Sequence, residues 1–368
     1  MNDIYTTTKE FREYMEKKFR KIGVLTSGGD APGMNAAVRA VTRAALARGV
    51  EVMGIYGGYS GLINDKMIEL KARSVSNIIN RGGTFLYSDR CDEFKTEEGM
   101  QKAIETCKKH GIDGIVAIGG DGTFRGATDL SVRGIPTIGI PATIDNDITA
   151  TENSIGFDTA MNTVLAACDR LRDTCESHAR CNVVEVMGRG AGDIALNTAM
   201  ALGAVAVVIP EVAFDEAACM EKIRRLRADG KRSFLVIVSE GVENFSEGLA
   251  KRIQAETGVE TKYACLAHTV RGGDPTLSDR VFATKLGVAA VERLLAGESN
   301  LVLCQQKSEI VAVDIVYSQC LDRYYKGTLK DGMLEKFSDA EKAEMVKAIA
   351  EKEEEFRKYY RMVNDIAQ

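Results

Sequence analysis

Much is missing from this chain of 368 residues, and each absence removes a class of explanation. No apolar run approaches the ~20 residues needed to span a bilayer, so no membrane partner is expected. The first twenty residues are polar and charged, without the apolar centre of a secretory leader. Basic residues hold no majority: 48 Lys and Arg face 53 Asp and Glu, for a net charge of −5. Bulk charge therefore gives no support for a nucleic-acid partner. The nine cysteines include no CxxC pair, and an odd, scattered set fits a reducing compartment better than a disulfide framework. The expected location is the cytoplasm. A GxGxxG turn with a later ribose-binding carboxylate is also lacking, which argues against an NAD-dependent oxidoreductase.

What is present is a set of glycine and aspartate clusters at the ends of short apolar runs. SGGDAPGMN lies at 27–35, GGDGT at 119–123, PATIDND at 141–147 and RGGDP at 271–275. The first three each follow a β-branched stretch, at 22–25, 114–118 and 135–140. In an open α/β sheet, ligands bind where the carboxyl ends of strands meet helix N-termini. Glycine there lets backbone approach phosphate, and aspartate brings magnesium or a base. Three such turns point to a phosphate-handling enzyme.

Periodicity supports the same class. Strands are expected at 22–25, 51–56, 114–118 and 137–140, with helices at 33–48, 104–109 and 126–133. After Asp147 the alternation begins again: helices at 158–172, 192–202 and 216–228, strands at 183–187, 204–209 and 234–238. This predicts two tightly joined α/β units with parallel sheets, helices on both faces and a cleft between them. A short helix is expected at 9–18, and the charged stretch 338–368 reads as a solvated terminal helix.

Singly, these turns could be no more than strand-to-helix connections, since glycine and aspartate are ordinary turn residues. Their combination and order are more telling. KIGVLTSGGDAPGMNAA, INRGGTF, IGGDGT, TIDND, IGFDTA, VVEVMGR, the GD at 192–193 and HxxRGG at 268–273 follow one another between about residues 21 and 330. In these strings the chain resembles the 6-phosphofructokinases, in particular the bacterial ATP-dependent type. The resemblance implies two Rossmann-like domains, 21–156 plus about 272–320 for ATP and 157–271 plus about 321–337 for the sugar phosphate. Residues 1–20 are then an appendage and 338–368 a helical extension. The implied activity is transfer of the γ-phosphate of ATP to the 1-hydroxyl of fructose 6-phosphate, with Mg2+.

The resemblance also implies roles. Gly29, Gly120, Gly122, Thr123 and Gly126 would contact the nucleotide, with Arg90 and Cys91, and Asp121 would be the magnesium-associated carboxylate. Asp145 would be the general base, Thr143 would hold the transferring phosphate or the sugar, and Asp147 would support the metal or the base electrostatically. Arg90 and Arg189 would stabilise the moving charge. The sugar-phosphate site would use Met187, Gly188, Glu240, His268 and Arg271, with Arg180 from a neighbouring subunit of a homotetramer. Lys262 stands where arginine is common, keeping the charge but losing bidentate geometry.

Two positions usually divide ATP from pyrophosphate users in this family, and here they are Gly122 and Ala142. Gly122 leaves room for a nucleoside triphosphate, whereas the Ala142 methyl could crowd a phosphate. ATP is the expected donor, and pyrophosphate is the runner-up. A catalytically silent metabolite sensor is the reading from another class; the retained Asp121, Asp145, Arg90 and Arg189 weigh against it. Arg39, Arg43, Arg172 and Lys231 match basic residues of an effector site. Ala72, Val205 and Asp229 replace an arginine, a metal-associated glutamate and a basic residue there, so weakened or altered regulation is expected.

Overall fold

The computed structural model describes residues 19–367, so the helix expected at 9–18 lies outside the described residues. The chain divides into two compact units. The first holds residues 19–143, 148–156 and 273–323; the second holds 144–147, 157–272 and 324–367. The turn 144–147, expected with the first unit, thus clusters with the second.

The first unit is built on a seven-stranded sheet. Its strands are β1 (Lys21–Thr26), β2 (Glu51–Ile55), β3 (Met67–Glu69), β4 (Gly114–Gly119) and β5 (Thr137–Pro141). A later hairpin adds β10 (Leu301–Gln306) and β11 (Glu309–Asp314). The order is β11-β10-β5-β4-β1-β2-β3. The five central strands are parallel, and β3 and β11 close the edges antiparallel. Both faces of the central strands are buried, so β1 and β4 read as near-continuous apolar runs. The chain leaves β1 for β2 on one side and returns to β4 on the other. The loops after β1 and β4 therefore flank the switch point, where α/β sheets take ligands.

The helices of this unit are α1 (Met34–Leu46), α2 (Gly58–Ile63), α3 (Glu97–His110), α4 (Asp121–Ser131), α9 (Leu277–Leu295) and most of α10 (Ile315–Tyr325). Helix α4 begins five residues earlier than its periodicity indicates. Asp121 therefore stands on its first turn, where a carboxylate favours the helix dipole.

The second unit has a four-stranded parallel sheet, in the order β7-β8-β6-β9, made of β6 (Cys181–Val186), β7 (Ala206–Val208), β8 (Phe234–Ser239) and β9 (Thr261–Cys265). Helices α5 (Phe157–His178), α6 (Asp193–Leu202), α7 (Glu216–Ala228) and α8 (Ser246–Thr257) surround it. Two of these elements, α8 and β9, were not expected from periodicity, and α5 runs six residues further than expected.

The last helix, α11 (Asp339–Ile366), corrects the expectation of a merely solvated tail. Ser338 and Glu341 form a reciprocal capping box at its start. Met345, Phe356 and Val363 are buried, and the helix packs against α6 and β7. The buried positions follow helical spacing, so the charge run occupies only the opposite face. Phe356→Ala should therefore cost about 3 kcal/mol of stability, and Glu344→Ala on the exposed face no more than about 0.5 kcal/mol. Urea unfolding of the two variants checks this, and equal midpoints would return α11 to a solvated role.

Candidate active site

In the first unit, the loop after β1 carries exposed Gly29, and the loop after β4 carries Gly120 to Thr123. The two are tied together: Thr123 Oγ1 donates to the Ser27 carbonyl at 3.0 Å, and the Ser27 amide donates to Ile118 O at 3.0 Å. Gly28 at φ +86° is a left-handed position that a side chain would strain. At Gly122 an added Cβ would meet nothing within 4 Å, so the space in front of this glycine is open. Gly126 differs. A Cβ there would lie 2.6 Å from the Tyr59 ring, whose hydroxyl donates to the Thr123 carbonyl at 2.5 Å. Its lack of a side chain is demanded by packing.

Asp121 keeps a partly exposed carboxylate, 3.1 Å from Arg125 and accepting a hydrogen bond from Gln319 at 3.0 Å. Thr143 lies beside Gly120: its Cβ is 3.9 Å from where a Gly120 side chain would begin. Ala142 is 1% exposed and pairs with Ile155. Its methyl is enclosed by protein, so the expected crowding of a phosphate does not arise. Arg90 is exposed and Cys91 half-buried, on the loop before a 3₁₀ turn, Glu93–Lys95.

In the second unit, the turn 144–147 carries Asp145 and Asp147, and the loops after β6, β8 and β9 carry Arg189, Glu240, His268 and Arg271. Asp145 sits in a turn, only 8% exposed. Burial and the neighbouring Asp147 carboxylate push its pKa up to about 6, opposed by the guanidinium groups of Arg271 and Arg189. Asn146 makes this turn by adopting φ +52°, which asparagine tolerates better than most residues. Its side-chain amide donates to Asp193 Oδ1 at 3.3 Å, at the start of α6. Asp147 is held by Lys326, whose ammonium donates to its carbonyl at 2.7 Å and to Oδ2 at 3.3 Å. Arg189 Nη1 is 3.8 Å from the same oxygen.

Arg189 itself is left-handed at φ +55°, a conformation that costs an arginine energy and is found where structure over-determines it. Glu240 supplies that restraint: its Oε1 accepts from the amides of Arg189 at 2.8 Å and Gly188 at 3.3 Å. Glu240, expected only as a sugar ligand, thus also holds the loop. His268 is exposed and Arg271 half-buried on the 3₁₀ turn Ala267–Arg271, while Met187 is buried at 6% exposure and offers little surface. Arg180 and Lys262 share one carboxylate, Glu260, at 2.8 and 3.0 Å, which holds Glu260 down at about 2.

The candidate effector residues fall on both units. Arg39 and Arg43 are one turn apart on α1, and Arg172 donates to the Leu202 carbonyl. Burial, with Arg172 nearby, lowers the pKa of Lys231. Val205 is buried at 1% exposure, where a carboxylate was expected to be lost.

Sequence reading missed Asn146, Asp193 and Lys326. Asn146 lay inside the recognised TIDND string; nothing at the sequence level links Lys326 to a segment 179 positions away.

Comparison with known proteins agrees with this geometry. Residues 21–294 match the phosphofructokinase family. An ATP-dependent 6-phosphofructokinase of Bacillus pumilus (strain SAFR-032) is 54% identical over 297 residues, covering 81% of this chain and 93% of that protein. An ATP-dependent 6-phosphofructokinase of Clostridium botulinum (strain Loch Maree / Type A3) is 50% identical over 312 residues, covering 85% and 98%. Among solved structures, phosphofructokinase from Pichia pastoris in the T-state has a TM-score of 0.82 at 32% identity. That match covers 95% of this chain and 39% of the yeast chain. Glycine turns at one sheet's switch point, a buried carboxyl faced by arginines on the other unit, and half-identical relatives along most of the sequence converge: the chain belongs to the phosphofructokinase family.

Proposed function

We infer that the chain transfers the γ-phosphate of ATP to the 1-hydroxyl of fructose 6-phosphate, giving ADP and fructose 1,6-bisphosphate. The observation that carries this reading is Asp145. A carboxyl poised at about 6 is mostly ionised at neutral pH and is a stronger base than an ordinary aspartate. It takes the hydroxyl proton as the sugar oxygen bonds to the γ-phosphorus and the bond to the β–γ bridging oxygen breaks. Arg90 and Arg189 meet the charge on the moving phosphoryl group, and Thr143 orients it. Gly29 and Gly120 to Thr123 present backbone amides to the donor phosphates.

Asp121 is the residue that would hold Mg2+. No closed group of three metal-ligating side chains exists among the described residues. A single partly exposed carboxylate suits an ion that keeps its waters and takes its other ligands from nucleotide phosphates. When bound, the ion neutralises charge on those phosphates.

On the acceptor side, Glu240, His268 and Arg271 bind the sugar phosphate, with Met187 and Gly188 shaping the loop. Lys262 and Arg180 bind the 6-phosphate, Arg180 across a subunit boundary in a homotetramer. The open space at Gly122 favours ATP over pyrophosphate, and the chain works in the cytoplasm.

Supplied with fructose 6-phosphate and magnesium, the protein should form fructose 1,6-bisphosphate with ATP and not with pyrophosphate. Asp145→Asn should lower kcat by about 10²–10⁴-fold; an unchanged rate would remove Asp145 as base. Because Asp145 must be ionised, kcat/KM should fall as pH drops through about 6. Asp147→Asn, removing the larger of the two charges that add to burial in raising this pKa, should move that limb to lower pH. The same shift acts on stability with the opposite sense from an ordinary paired carboxylate. A folded-state pKa above the unfolded value disfavours the folded state once the group ionises, and the penalty fades as pH falls below 6 toward 4. Asp145→Asn should thus be more stable than wild type at pH 7.5, by up to about 3 kcal/mol, with the gap closing at pH 4. Thermal unfolding at the two pH values measures it. Titration of activity with a nucleoside diphosphate and phosphoenolpyruvate should show weak responses, given Val205 and Asp229; full activation and inhibition would count against this.

A further inference from the structure

Lys326 is the first residue after α10. Its ammonium makes two contacts to one residue, the carbonyl and the carboxylate of Asp147. A donor that binds both a backbone oxygen and its own side chain fixes the dihedrals of that residue as well as its charge. Asp147 ends the turn that carries Asp145, and its carboxylate is one of the charges acting on Asp145. The other cation near Asp147, Arg189, is 3.8 Å away on a side chain 77% exposed, so it is the weaker restraint.

Lys326 is held in turn by the end of the chain. The ring of the preceding Tyr325 lies under Lys352 of α11, whose ammonium is 5.3 Å from the ring centroid. Buried Asp193 and half-buried Glu211 attract the same ammonium. Asp193 Oδ2 and Glu211 Oε2 are buried without a hydrogen-bond partner among the described residues, so a nearby positive charge matters to both. Asp193 also accepts from Asn146, the middle of the same turn. Buried Met345, Phe356 and Val363 keep α11 in place.

We propose that Lys326 is a positioning residue for phosphoryl transfer, fixing Asp147 and with it the turn that carries Asp145, and that α11 holds Lys326 in place through Tyr325 and Lys352. The proposal rests on the reading of Asp145 as base. It assigns no contact between Lys326 and substrate. Lys326 sets where the base stands and leaves substrate binding to the arginines, so its loss should appear in kcat.

The test is steady-state kinetics on the full-length chain with ATP and fructose 6-phosphate for Lys326→Met, Lys326→Arg, Lys352→Met and Asp145→Asn, each checked for cooperative unfolding. Lys326→Met should lower kcat by about tenfold to a hundredfold, the range expected for losing a charge-assisted hydrogen bond, with both KM values within about twofold of wild type. Lys326→Arg should recover most of kcat, and Lys352→Met should show a smaller loss in the same direction. The proposal is overturned if Lys326→Met keeps kcat within twofold, if its loss appears in KM instead, or if arginine restores nothing. Should Lys326→Met fail to fold, the arginine and Lys352→Met variants decide: wild-type kcat for Lys352→Met would remove the role of α11, and an arginine variant that is folded but as slow as Asp145→Asn would remove the role of Lys326. A fully active Asp145→Asn would sink the base and this inference together, whereas an inactive Asp145→Asn beside a fully active Lys326→Met would sink this inference alone.

Discussion

The charge balance of the second unit centres on one buried carboxyl, Asp145. Asp145 has little contact with water and has two carboxylates, Asp147 and Glu240, among the charges that act on it. Burial disfavours the charged form of such a group and raises its pKa. Arg271 and Arg189 draw its pKa back from the value that burial alone would set. Much of the second unit can be read as support for that balance. Glu240 holds the Arg189 loop, Asn146 ties the turn to α6, and Lys326 pins Asp147. Natural proteins commonly tolerate such a local loss of stability where chemistry requires it.

The parallel sheets explain where this chemistry can sit. In the first unit the reversal of strand order between β1 and β4 opens a gap flanked by two glycine turns, and α4 begins directly after the second. Helix dipole and bare amides then act on the same place. In the second unit Arg189, Glu240 and Arg271 come from the carboxyl ends of β6, β8 and β9, three parallel neighbours, beside the turn 144–147. Short turns at strand ends can present a side chain accurately because the strands behind them are fixed by packing. Left-handed Arg189 shows how far this goes, since its conformation is sustained by two amide hydrogen bonds to one carboxylate.

The C-terminal helix shows how a dominant signal can hide a weaker one. The run EKEEEFRKYY suggests a solvated surface, and it does face water on one side. Yet Met345, Lys352, Phe356 and Val363 recur at intervals of seven, four and seven residues, which keep them on one helix face, and Ser338 with Glu341 spells a capping box. Both signals were present in the residues; the charge run outweighed them. Strands β9, β10 and β11 were overlooked for a different reason. β9 is five residues and largely exposed, whereas β10 and β11 carry the apolar runs LVLC and IVAV, which at four residues do not by periodicity alone tell strand from helix.

By itself the sequence determined the α/β class, the glycine turns at strand ends and the candidate chemistry of Asp121, Asp145 and the arginines. These are local matters, since turn geometry, helix starts and hydrophobic period are set by neighbours a few positions away. Tertiary structure alone decided that Tyr59 demands the glycine at 126, that the Ala142 methyl is enclosed, that Glu240 holds the Arg189 loop and that Lys326 holds Asp147. Each of these joins residues separated by long stretches of chain or depends on what surrounds a side chain once packed. Burial arises only when the chain folds, and it is burial, with Asp147 two positions away, that raises the Asp145 carboxyl in TIDND to about 6.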